Sequence, residues 1–142
     1  MSEAKEYLQK IKLYDARIEN GLQELSTLED MVLRITPVLK QDMVSGSHSQ
    51  DKLGDTVAKI ADLRVQINRD VDAFIGLKKE ATAKLARVEN PDYYKVLHLR
   101  YIRNFTFEKI AIEMNYSYRG VCYLHGRALN VFEKIMKEGE GT

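Results

Sequence analysis

Apolar residues in the first ninety positions recur at steps of three and four, and this spacing constrains the fold more than any other feature of the chain. Leu8, Ile11, Ile18, Leu22, Leu25 and Val32 form the first stripe. Such steps place side chains on one face of a helix, and no strand is expected. Asp15 and Glu29 interrupt the seam, and Tyr7, Tyr14, Leu28 and Ile35 widen it on one flank, which predicts packing against more than one neighbour. Pro37 is expected to end or kink this helix, because a proline ring lacks an N–H and clashes with the preceding turn. Ser45-Gly46-Ser47-His48-Ser49 then reads as a loop.

A second stripe starts near Asp51 or Lys52: Leu53, Val57, Ile60, Leu63, Ile67, Val71, Phe74, Leu77, Ala81, Leu85 and Val88, stopped by Asn90-Pro91. At about 1.5 Å of rise per residue each helix would reach roughly 50 Å, longer than a small core needs. The spacing predicts an antiparallel helical hairpin over 1–90, whose seam also suits a coiled coil with a second copy. Asp15, Glu29 and Arg64 at seam positions fit an intramolecular hairpin as easily as a dimer. The remainder, 91–137, divides into shorter helical pieces at Asp92 to Arg103, Thr106 to Met114 and Tyr118 to Met136, and 138–142 is expected to fray. The fold class is therefore all-α.

Composition supports a folded protein, with 44% hydrophobic and 30% charged residues among 142. Net charge is only +1, but its distribution is uneven. Residues 1–90 carry 14 basic and 15 acidic side chains, whereas Tyr93 to Arg127 holds six basics (Lys95, Arg100, Arg103, Lys109, Arg119, Arg127) against Glu108 and Glu113. A local excess of this sign is the footprint of a phosphate-binding face. Cys122 is the single cysteine and has no disulfide partner in the chain, and no Cys/His set has zinc spacing, so a reducing compartment and no bound metal are expected. The polar start MSEAKEYLQK and the lack of 18 consecutive apolar residues predict neither signal peptide nor membrane span, hence a cytoplasmic protein.

The run from Thr106 to Leu129 carries the functional signal. Thr106 is a good N-cap, and Phe107, Ile110 and Met114 give a short helix one apolar face, with Ala111 small enough for a close helix crossing. Asn115 tolerates the left-handed backbone that a tight turn needs, Tyr116 is expected to plug the corner, and Ser117 is a second N-cap. The following helix buries Val121, Leu124, Ala128 and Leu129 and turns Tyr118, Arg119, Cys122, Tyr123 and Arg127 outward. That outward set reads as a recognition face.

This run resembles the last helix-turn-helix of bacterial sigma factors, region 4, whose pattern is Thr-Leu-Glu-Glu-Ile-Gly, then Gly-Val-Thr and a basic helix ending Ala-Leu. The resemblance covers Thr106 to Leu129 without a gap, and Val96-Leu97-His98-Leu99-Arg100-Tyr101 is similar to the helix packed behind that motif. The whole chain also resembles small sigma-like or late-gene transcription regulators encoded by phages and prophages of Gram-positive bacteria. The resemblance implies that Thr106 and Ser117 sit near DNA phosphates, that Tyr118, Arg119, Cys122 and Tyr123 face the major groove, and that Arg127 reaches the backbone. Tyr118, Cys122 and Tyr123 stand where arginines and glutamine are usual, so a promoter −35 element is not expected to be read in the usual way. Double-stranded DNA is the implied partner, with host RNA polymerase and a second copy bound through the hairpin as further candidates.

Blander assignments compete at several residues. Tyr93, Tyr94, Tyr101, Tyr116, Tyr118 and Tyr123 crowd the last third, and Tyr101 and Tyr116 are expected to be buried. His98 and His125 lack a carboxylate or thiol at ligand spacing and read as packing or surface residues. No glycine-rich phosphate loop, serine elbow or acid pair supports an enzyme, so neither catalytic residues nor a cofactor are expected. Two other functions fit a helical chain of this kind: a small terminase subunit that recognises DNA for packaging as a ring, and a protein-protein adaptor with no DNA affinity.

Overall fold

Two helices of 39 residues each open the chain, α1 (Glu3–Gln41) and α2 (Ser47–Leu85). A computed structural model describes residues 2–41 and 47–140 and shows, among these, helices and no strand; Ser45 and Gly46 of the expected loop lie outside the described residues. After α2 come α3 (Pro91–Leu97), a π-helical turn (His98–Ile102), α4 (Phe107–Met114) and α5 (Tyr118–Glu140). The protein is all-α.

Several boundaries differ from those expected. Pro37 does not end α1, which continues to Gln41, and α2 begins at Ser47, inside the serine-rich cluster. α2 stops at Leu85, before Asn90-Pro91: the Arg87 N–H donates to the Lys84 carbonyl and the Val88 N–H to that of Leu85, tightening the last turn so that Val88 is buried. Asn90 instead starts α3, its side-chain oxygen accepting from the Asp92 and Tyr93 N–H groups, with Pro91 at the first helical position where no N–H is needed. α5 runs to Glu140, into the 138–142 tail, whose last two residues lie outside the described ones.

The chain divides into two compact units, Asp15–Ala73 and a second made of Met1–Tyr14 with Phe74–Thr142. This division differs from a boundary at residue 90. In the Asp15–Ala73 unit, Arg17 pairs with Asp70 at 3.8 Å, Gly21 lies against Ile67 and Arg64 bonds Glu29 at 3.0 Å, so partners run in opposite order along the two helices. A Cβ at Gly21 would come within 2.9 Å of Ile67 Cγ1, and the glycine permits that approach. The seam charges Glu29 and Arg64 thus pair with each other, an exposed contact worth at most about 1 kcal/mol. Two helices cannot cover both of their stripes: Leu22, Leu33, Val57 and Val65 are 51%, 70%, 50% and 51% exposed.

The second unit holds a continuous apolar core. Ala4, Leu8 and Ile11 of α1 and Ala81, Leu85 and Val88 of the α2 end pack with Val96, Leu97, Leu99, Tyr101, Ile110, Val121, Leu124, Ala128, Leu129 and Phe132. The π turn serves this packing. The Arg103 N–H reaches back to the His98 carbonyl at 3.1 Å, adding a residue to one turn and burying both Leu99 and Tyr101 while Arg100 stays half-buried.

Candidate nucleic-acid interface

α4 and α5 are joined by three residues, and local chemistry fixes each of them. Thr106 Oγ1 accepts from the Lys109 N–H at 3.2 Å, supplying one of the orphan groups at the start of α4. Asn115 adopts φ 58° and ψ 41°, the left-handed conformation that reverses the chain, and the Tyr116 N–H then closes on the Ala111 carbonyl at 2.9 Å. Ser117 Oγ accepts from the Gly120 N–H at 3.0 Å and starts α5. A Cβ at Gly120 would meet Ser117 Oγ at 3.1 Å and the Tyr116 ring at 3.4 Å, so this first turn is close-packed.

α5 is sharply two-sided. Val121, Leu124, His125, Ala128, Leu129 and Phe132 are buried, whereas Tyr118, Arg119, Cys122, Tyr123, Gly126, Arg127 and Asn130 are exposed. All seven candidate residues, Thr106, Ser117, Tyr118, Arg119, Cys122, Tyr123 and Arg127, are therefore exposed, five of them along one face of α5 and the other two at the helix starts. Arg119 Nη2 lies 3.5 Å from Tyr123 Oη, and its guanidinium sits 5.7 Å from the ring centre, so the cation rests beside its aromatic neighbour on the exposed face.

Tyr116 does not plug the corner. It is exposed at the rim, its hydroxyl donating to Asp92 Oδ2 at 3.2 Å. The polar end of a tyrosine finds a carboxylate at the surface more cheaply than a buried partner. Tyr101 is buried as expected, and its hydroxyl meets His125 Nε2 at 2.7 Å. Burial, reinforced by the charges of Arg100 and Lys5, pushes His125 down to about 4, and burial raises Tyr101 to about 12. His98 stacks on Tyr94, and burial lowers its pKa as well.

The cations of this region are held by rings. Arg100 lies 4.3 Å from the centre of Phe107, Arg103 and Lys109 lie 4.6 and 4.1 Å from that of Phe105, and Phe107 meets Tyr118 edge-on at 6.3 Å. None of Arg103, Lys109 and Arg119 is ion-paired among the described residues. An aromatic ring orients a cation without cancelling its charge, so the positive character read from the sequence stays on the surface.

Sequence spacing missed one feature of the site. Beside Cys122 a cavity of 170 Å³ is lined by Lys5 and Lys12 of α1, by Arg100 and Tyr101 of the π turn, and by His125. The lysines precede the rest by nearly ninety positions or more, so no local pattern connects them. Among the described residues no group of three or more His, Cys, Asp or Glu side chains gathers as a metal site, and no helix is long and apolar enough to cross a membrane.

No curated protein and no solved structure matches the chain. Residues 33–132, well over half of it and ending at the buried Phe132, match a family described as protein of unknown function (DUF1492). By these helices the chain belongs to the DUF1492 family.

Proposed function

We propose that this protein is a sequence-specific DNA-binding transcription regulator of phage or prophage type, similar to sigma region 4, that lays α5 in the major groove. It acts in the cytoplasm, without catalysis or cofactor, on double-stranded DNA. The observation that carries this reading is the exposed face of α5: Arg119 backed by Tyr123, with Tyr118, Cys122 and Arg127 along the same helix, behind a three-residue turn, with α4 capped by Thr106 and α5 by Ser117. A helix presenting a basic, aromatic stripe over an apolar core has the shape and charge to enter a groove about 12 Å wide. Small Cys122 and Gly126 on that stripe favour close approach. Host RNA polymerase and a second copy of the chain are the proposed protein partners, and the exposed Leu33 and Val57 of the Asp15–Ala73 unit favour helical association there.

Arg119 is the residue proposed to read a base, donating two hydrogen bonds to the guanine edge. Titration of the protein against genomic and random DNA fragments tests this. Arg119→Ala is expected to lose about 1–3 kcal/mol of discrimination, close to the ratio measured for random DNA, while retaining salt-dependent affinity. Unchanged fragment ranking in Arg119→Ala would refute its role, and no binding by the wild type at low salt would move the protein to the adaptor reading. Light scattering on the same sample distinguishes a regulator, monomeric or dimeric, from a packaging subunit, which would form a ring of roughly eight or more copies.

A further inference from the structure

We propose that the cavity beside Cys122 is an anion site that takes one phosphate group, and that on DNA this is a backbone phosphate flanking the groove occupied by α5. The proposal rests on the DNA-binding reading for the source of the phosphate, though not for the chemistry of the site. Three cations line the cavity, Lys5, Lys12 and Arg100, together with the buried Tyr101 and His125, and no carboxylate is among its lining residues. A volume of 170 Å³ admits a tetrahedral oxyanion with part of its hydration.

The cations are positioned by the fold. Arg100 donates to the Phe105 carbonyl at 3.0 Å and stacks on Phe107, Lys12 Nζ bonds Asn104 Oδ1, and Lys5 sits on the turn of α1 whose Ala4 and Leu8 are fully buried. A carbonyl oxygen orients the Arg100 head without neutralising it. Burial, with the charges of Arg100 and Lys5 added to it, keeps His125 neutral, so both cations lie close enough to act on this lining residue. Cys122 belongs to both the cavity wall and the exposed face of α5. A duplex seated on that face therefore brings one strand to the cavity mouth, and the first turns of α1 become part of the DNA interface.

The test uses the full chain, with DNA and inorganic phosphate as separate probes. In the first arm, DNA affinity is measured across a salt series for the wild type, for Lys5→Gln/Lys12→Gln, and for Lys5→Gln alone in case the double variant is poorly folded. Removal of one phosphate contact is expected to reduce the slope of log K against log salt by about 0.9, weakening all fragments alike and leaving their ranking intact. In the second arm, the His125 imidazole resonances are followed during titration with inorganic phosphate at constant ionic strength. Saturable shifts in the wild type, lost in Lys5→Gln, are expected.

A DNA-binding wild type with an unchanged slope in both variants would overturn the phosphate assignment and leave the regulator reading standing. A wild type that ignores DNA but shows saturable phosphate shifts would overturn the DNA source and keep the site as one for free phosphate. Absence of both effects would overturn site and regulator together.

Discussion

His125 and Tyr101 face each other within the core at 2.7 Å, both held in their neutral forms. The linkage follows from the imidazole. Unfolded, it titrates near 6.5; folded, burial and the nearby Arg100 and Lys5 charges bring it to about 4. Between these values the unfolded chain binds a proton that the folded chain does not, so this contribution is complete above pH 6.5 and is lost as pH falls towards 4. At about 1.4 kcal/mol per unit, the loss is on the order of 3 kcal/mol. Urea midpoints measured from pH 7 to 4 should fall more steeply for the wild type than for His125→Phe; parallel curves would assign the acid sensitivity to other groups. The burial of Tyr101 was legible in the sequence because its aromatic ring follows closely on Val96, Leu97 and Leu99. That of His125 was not, since its spacing from Val121 fits the core but an imidazole reads as polar, and its partner lies 24 positions away.

The elements carry the same contrast between local and distant causes. The turn from α4 to α5 was legible because its determinants lie within a few residues: a threonine cap, a left-handed asparagine, a serine cap. Helix lengths were less so. Pro37 reads as a stop or a kink, and α1 continues past it to Gln41, while Asn90-Pro91 reads as the end of α2 but is the capped start of α3. One sequence motif serves both ends of a connection, and only the five residues between Leu85 and Pro91 resolve it. The turn from α4 to α5 offers a direct test. Asn115→Ala places a Cβ in the left-handed region and should cost about 1 kcal/mol or somewhat more, whereas Asn115→Gly should be nearly neutral. Thr106→Ala, which leaves the Lys109 N–H unsatisfied, should cost about 1 kcal/mol. Chemical denaturation of the three variants checks the ranking; an alanine at 115 as stable as glycine would mean that the turn relaxes out of its left-handed backbone.

For the molecule as a whole, the decisive packing joins the chain's beginning to its end. A DNA-binding domain of residues 91–137 is the natural reading of the sequence, because the helix-turn-helix signals lie there and the periodicity of 1–90 reads as one uninterrupted hairpin. Periodicity assigns side chains to a face but does not say which neighbour covers it, and the extra flank of Tyr7 and Tyr14 was the one hint that the start of α1 has a second partner. In the folded unit Ala4, Leu8 and Ile11 are 0%, 0% and 2% exposed, and Tyr7 stacks on Phe132 with ring centres 6.3 Å apart. Truncating one buried leucine to alanine commonly costs about 2–5 kcal/mol, and a domain of this size is stable by only about 5–15 kcal/mol. Leu8→Ala should therefore lower stability by about 3 kcal/mol while leaving a cooperative transition. Removing residues 1–14 altogether strips three core side chains at once, and residues 91–142 alone lose the α2 end as well. The fragment 91–142 is expected to show helical circular dichroism without a cooperative thermal transition, to bind DNA only weakly and without selectivity, and to regain neither property on cooling. A cooperative transition in that fragment, with the same fragment ranking as the full chain, would mean that the first turns of α1 are dispensable to the recognition unit, and would also count against a phosphate contact supplied by Lys5 and Lys12.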